Sequence, residues 1–102
     1  MRRDEALRII RAHEAELRAM GVESIELFGS VARDEAGPES DVDVLVRFSE
    51  TDRPKGLAFF RLYADLSEEL SQLLGRQVDV ATLPLSKARF AEAIEGERVA
   101  AY

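Results

Sequence analysis

Two aspartates spaced two residues apart, Asp41 and Asp43, open the apolar run Val42-x-Val44-Leu45-Val46. Side chains at i and i+2 of a strand share a face, so both carboxylates project together while Val42, Val44 and Val46 turn toward a core. Two adjacent carboxylates repel unless a cation or a proton lies between them. A magnesium ion resolves this by taking one or two carboxylates and completing its shell with phosphate oxygens and water. Upstream, Gly29-Ser30 closes a second apolar run, Ile25-Glu26-Leu27-Phe28, with ten residues between Ser30 and Asp41. Gly29 lets the backbone approach a ligand without a Cβ in the way, and a short helix starting near Ser30 offers free N–H groups to an anion. A phosphate cradle facing a carboxylate pair points to nucleotidyl transfer.

The rest of the chain reads as support for that stretch. Residues 4–20 carry Leu7, Ile10, Leu17 and Met20 at helical spacing, with Gly21 where a C′ glycine belongs. The expected order is then a strand over Ser24–Phe28, a short helix over Gly29–Asp34, a loop over Glu35–Ser40 around Gly37-Pro38, and a strand over Asp41–Phe48. After a polar loop containing Pro54 comes the longest helix, Leu57–Leu74, with Phe59, Leu62, Leu66, Leu70 and Leu73 on one side and Gly75 as its stop. A third strand follows over Gln77–Thr82. Pro84 and Ser86 then mark a turn and N-cap before a final helix carrying Phe90 and Ile94, and the tail ends at Tyr102. Phe90 and Tyr102 serve either an interface or the closure of the core, and the core is the preferred reading.

Asp79, between Val78 and Val80, repeats the alternation. If its strand pairs beside Asp41–Phe48, Asp79 joins Asp41 and Asp43, and three carboxylates at one sheet edge suit two divalent ions. Its alternative is an exposed strand position or a partner for Arg76. Arg33 lies one helical turn beyond the Gly-Ser pair and can reach a triphosphate, or else serve as a surface partner for Asp34 or Glu35. Arg47, on the aspartate side of its strand, reads as a surface residue. His13, the only histidine, falls on or beside an apolar stripe and reads as structural. No P-loop or nucleophile elbow is present, and Asp41–Val46 lacks the glycine of a calcium loop.

At 102 residues the chain is expected to form one domain over 1–102, with no room for a second substrate-binding module. A net charge of −6 opposes a broad footprint on nucleic acid, so small substrates, cations or a basic protein partner fit better. The absence of cysteine excludes thiolate metal sites, disulfides and thiol catalysis. No segment has transmembrane length and none reads as a signal peptide, so a soluble cytoplasmic protein is expected.

Leu27-Phe28-Gly29-Ser30-Val31-Ala32-Arg33, then Ser40-Asp41-Val42-Asp43-Val44-Leu45-Val46, then Val78-Asp79-Val80, resembles the DNA polymerase β nucleotidyltransferase superfamily. Within it, the chain looks like the minimal nucleotidyltransferases (MNT proteins) of bacteria and archaea, over nearly its whole length. The resemblance implies an α/β (α+β) fold, a small mixed sheet packed against helices, with Mg²⁺ and ATP. It places Gly29 and Ser30 on the nucleotide phosphates, makes Asp41 and Asp43 metal ligands, and makes Asp79 the third carboxylate and general base. MNT proteins are commonly paired with HEPN-domain toxins. The resemblance therefore implies an antitoxin that transfers AMP from ATP to a tyrosine of a HEPN partner. A binding antitoxin without activity, and transfer to a small-molecule hydroxyl, are the alternatives; homo- or hetero-oligomers are compatible with either.

Overall fold

The two apolar runs build the centre of the sheet. In the computed structural model, which describes residues 1–37, 40–49, 54–82 and 96–102, β1 (Val22–Phe28) and β2 (Val42–Phe48) pair antiparallel. β3 (Val78–Thr82) adds parallel to β2, and β4 (Val99–Ala100) antiparallel to β1. Among the described residues this is a four-stranded mixed sheet in the order β3-β2-β1-β4. β4 has no counterpart in the sequence reading, because two residues are too few to show alternation. The final helix expected around Pro84, Ser86, Phe90 and Ile94 lies outside the described residues.

Alternation sorts the two faces of the sheet as expected. Val42, Val44 and Val46 are fully buried and join Ile25 and Leu27 of β1 in the main core. Each such side chain contributes about 2 kcal/mol of apolar burial, which fixes the register, because a slip of one residue would turn every valine outward. Val22 and Ile25 are both buried although three positions apart. The strand manages this with a register shift between Val22 and Ser24, where Glu23 is the extra residue of a bulge. The opposite face carries Asp43, the fully buried Leu45, and Arg47, with Phe28 and Ala81 packed beside Leu45.

The helix α4 (Leu57–Leu74) matches its expected bounds and ends on Gly75 in the left-handed conformation, φ 64°. Its buried stripe is Leu66, Leu70 and Leu74, with Phe59 and Leu62 partly buried against the core. Leu74 takes the place expected for Leu73, since spacings of four continue the line set by Leu66 and Leu70. Phe59 stacks edge-on against Phe48 of β2 at 5.4 Å, which docks the helix on the sheet.

The single helix expected over 4–20 is two, α1 (Arg3–Ala12) and α2 (Glu14–Ala19), joined at His13. There the His13 N–H bonds to the Ile10 carbonyl at 3.0 Å, a tightened turn. The His13 ring Nδ1 lies 2.9 Å from the Ile9 carbonyl, the acceptor that the backbone N–H would have used in a continuous helix. The structural reading of His13 agrees with this contact. Tyr102 packs against the core as expected; its hydroxyl donates to the Val22 carbonyl at 3.3 Å and burial pushes its pKa up to about 12. No helix among the described residues is long and apolar enough to cross a membrane.

One contact ties α1 to the loop after Gly29-Ser30. Asp34, at φ 60°, accepts from the first N–H of α1, that of Arg3, at 3.0 Å. The Arg3 guanidinium also donates to the Ala32 carbonyl at 3.3 Å. An acceptor at a helix N-terminus satisfies a donor the helix cannot, and the Asp34 carboxyl is held below its ordinary range by that bond first and then by Arg2 and Arg3. A depressed native pKa gives stability that is present above the unfolded value of about 3.9 and lost as pH falls through the native one. Asp34→Ala is therefore expected to lower Tm at pH 7, with the gap to wild type closing below about pH 4. Thermal melts across that range check this, and an unchanged gap at low pH would contradict it.

Candidate active site

The site is set by register. β1 ends with Phe28 opposite Asp43, and Asp43 lies beside Asp79 of the parallel neighbour β3. Gly29, the next residue, leaves the strand at φ 74°. A Cβ at that position would overlap Oδ2 of Asp43 and sit 3.2 Å from its Cγ. Glycine is thus required twice, for the positive φ and for the approach of the carboxylate.

The chain then forms α3 (Gly29–Ala32), pinned by the buried Val31 and Ala32. It is shorter than the Gly29–Asp34 helix expected, because Asp34 takes the left-handed conformation to cap α1. Ser30 is half-buried beside Asp43's strand, and its hydroxyl has no partner among the described residues. As in any helix, the N–H groups of the first turn lack intrahelical acceptors.

Asp41 sits one residue before β2, exposed, with the adjacent Val42 N–H bonded to the Gln77 carbonyl at 2.9 Å. β3 is fastened to α4 on both sides of Asp79. The Tyr63 hydroxyl donates to the Val80 carbonyl at 2.5 Å, and the Val78 N–H donates to Ser71 Oγ at 3.3 Å. Among the described residues none of Asp41, Asp43 and Asp79 has an ion-pair partner, so the alternative pairing of Asp79 with Arg76 is not made, whereas the other alternative, an exposed strand position, is the one Asp79 takes.

The electrostatics follow from this crowding. The Asp43 carboxyl is pushed above its ordinary range, first by burial, then by the charges of Asp79, Asp41 and Glu97, against a smaller opposing effect of Arg33. Like charges on neighbouring strands repel by on the order of 1 kcal/mol once solvent screening is included. Among the described residues no three acidic side chains converge into a ready-made cation cage. The donor set nevertheless fits Mg²⁺, which needs only one or two carboxylates when phosphate oxygens supply the rest.

Of the two readings of Arg33, the structure shows the surface pairing with Glu35 and not an arm directed at phosphate. Its Nε donates to Glu35 Oε2 at 3.1 Å, and its Nη1 is bonded to Glu97. Glu97, in the segment before β4, is absent from the sequence reading; it lies 64 residues away in the chain and belongs to no motif. Arg47 is exposed on the aspartate face, as expected of a surface residue.

Residues 10–101 match the nucleotidyltransferase domain family. The chain belongs to that family. Among its relatives is the protein adenylyltransferase MntA of Thermococcus cleftensis, 40% identical over 97 residues, covering 94% of this nucleotidyltransferase and 92% of the relative. A solved minimal nucleotidyltransferase is 34% identical with a TM-score of 0.74, covering 97% of this chain and 95% of that one. The fold also recurs in a chain of the complex of tri-AMPylated HEPN toxin with MNT antitoxin from Shewanella oneidensis. That likeness has a TM-score of 0.59 at 18% identity, covers 94% of this chain and 71% of the other, and bears on fold alone. The nucleotidyltransferase fold and its mixed sheet are as the sequence implied.

Two outcomes test the geometry of the nucleotidyltransferase site. Gly29→Ala should cost at least about 2 kcal/mol, roughly 10 °C in Tm, from the left-handed φ together with the overlap at Asp43. Adding Asp43→Ala should return part of that loss by emptying the space; no recovery would mean the overlap is not the cause. Separately, a raised native pKa means that Asp43 destabilises the fold when ionised, fully so above its native pKa. Asp43→Asn should therefore melt higher than wild type at pH 7 in EDTA, with the advantage fading as pH falls toward 4. A lower melting point at pH 7 would contradict this.

Proposed function

We propose that this chain is a Mg²⁺-dependent adenylyltransferase that moves AMP from ATP to a tyrosine hydroxyl of a HEPN-domain partner, acting as its antitoxin. The observation that carries this reading is the register placing Asp43 beside Asp79 and against the Cβ-less Gly29. The named activity of the MntA relative supports the protein acceptor, and the MNT–HEPN complex supports the kind of partner.

In this reading Asp41 and Asp43 hold Mg²⁺, with Asp79 at a second ion. The ions, when bound, supply charge neutralisation and polarisation of the phosphates. The Gly29–Ser30 turn holds the triphosphate through backbone N–H groups and the Ser30 hydroxyl, and Arg33 supplies further positive charge. Asp79 takes the proton from the acceptor hydroxyl as its oxygen bonds to the α-phosphorus. The bond from that phosphorus to the β-phosphate oxygen breaks, and pyrophosphate leaves with the electron pair. In-line displacement of this kind depends mainly on positioning and charge stabilisation.

Incubation with α-³²P-labelled ATP, Mg²⁺ and a candidate HEPN-domain partner tests it. Wild type should label the partner, and Asp41→Asn or Asp43→Asn should reduce labelling by at least about 100-fold while remaining folded. Labelling at wild-type rates in either variant would remove the carboxylates from the mechanism. Neutralisation of the partner without label on any protein would make this a binding antitoxin.

A further inference from the structure

Arg33 and Glu97 meet at the edge of the site in a way the family motif does not explain. The Arg33 N–H bonds to the Gly29 carbonyl at 3.1 Å, which places its side chain one turn from the Gly29–Ser30 cradle. Its guanidinium is shared by two carboxylates, so the trio carries a net negative charge and is poorly disposed toward an incoming anion. The two partners are unequal. Glu35 is 66% exposed and well solvated, whereas the Glu97 side chain is only 19% exposed. Solvated pairs are weak and desolvated ones hold harder.

Glu97 is also fixed where Arg33 is not. The next residue, Arg98, makes a two-pronged bond to Glu26 of β1 at 2.6 and 3.0 Å, and β4 follows at once on the same strand. The Arg33 side chain, by contrast, is a flexible stem, 44% exposed. When the pair breaks, Arg33 moves and Glu97 stays.

We propose that Glu97 is an internal competitor for Arg33, holding its guanidinium in the nucleotide-free protein, and that a nucleoside triphosphate must displace it to recruit Arg33. This role presupposes the nucleotide site described above. The exchange trades a guanidinium–carboxylate bond for a guanidinium–phosphate bond and leaves Glu97 charged and largely desolvated. Nucleotide affinity is thereby set lower than the cradle with an unengaged Arg33 would give. Replacing the carboxylate by an amide keeps an acceptor oxygen and the side-chain volume but removes the negative charge that makes the contact an ion pair.

Isothermal titration of AMP-PNP with Mg²⁺ into wild type, Glu97→Gln, Arg33→Ala and the double variant tests this, with circular dichroism confirming that each is folded. Glu97→Gln should bind about tenfold more tightly than wild type, a difference of about 1.4 kcal/mol. Arg33→Ala should bind more weakly, and Glu97→Gln should add nothing in that background. Equal tightening with and without Arg33 would reduce Glu97 to one more negative charge near the site and overturn the proposal. Unchanged or weaker binding by Glu97→Gln would also overturn it, leaving a clamp or a brace for Arg33. Failure of wild type to bind AMP-PNP would instead overturn the nucleotide-site reading, and the competitor role with it.

Discussion

The close packing of the Asp43 carboxylate against the backbone of Gly29 is the contact on which the site depends. It exists because β1 and β2 pair so that Phe28 faces Asp43, and because residue 29 has no Cβ. The same pairing is held by burial on the other face, where Val42, Val44 and Val46 have no tolerance for a slip of register. Core packing and site geometry are therefore one constraint seen from two faces of a single strand.

That arrangement concentrates negative charge. Asp41, Asp43 and Asp79 share one end of the parallel pair β2–β3, and Glu97 adds its field from the segment before β4. Such a cluster weakens the isolated fold, and in the proposed reading a cation with phosphate oxygens would offset that repulsion. Compensation is built in around it. Tyr63 and Ser71 fasten the strand on both sides of Asp79, and Asp34 ties the loop behind the cradle to the start of α1. Functional crowding is thus carried by hydrogen bonds to backbone, which do not depend on the ligand.

Much of this was legible in the sequence because short periodicities encode it. Two-residue alternation around Asp41, Asp43 and Asp79 gives the face and the strand, and the Leu57–Leu74 stripe gives α4 to the residue. What the sequence hid is non-local or too short to repeat. The two residues of β4 show no alternation, and the break at His13 arises from a ring nitrogen competing for a carbonyl that a helical pattern assigns to the backbone. Asp34 looked like a neighbour for Arg33 but caps a helix 31 residues upstream. Glu97 meets Arg33 only because β4 returns to β1. No local signal marks either partner.

The central claim is that Asp41, Asp43 and Asp79 form the cation side of a nucleotide site whose phosphate side is Gly29–Ser30. Its most direct test is a crystal structure with AMP-PNP and Mn²⁺, read by anomalous scattering from the manganese. The account predicts anomalous density at Asp41 and Asp43, within reach of Asp79, with the triphosphate lying over the Gly29–Ser30 turn. Nucleotide bound elsewhere on the sheet, or manganese absent from these carboxylates while nucleotide is bound, would contradict it.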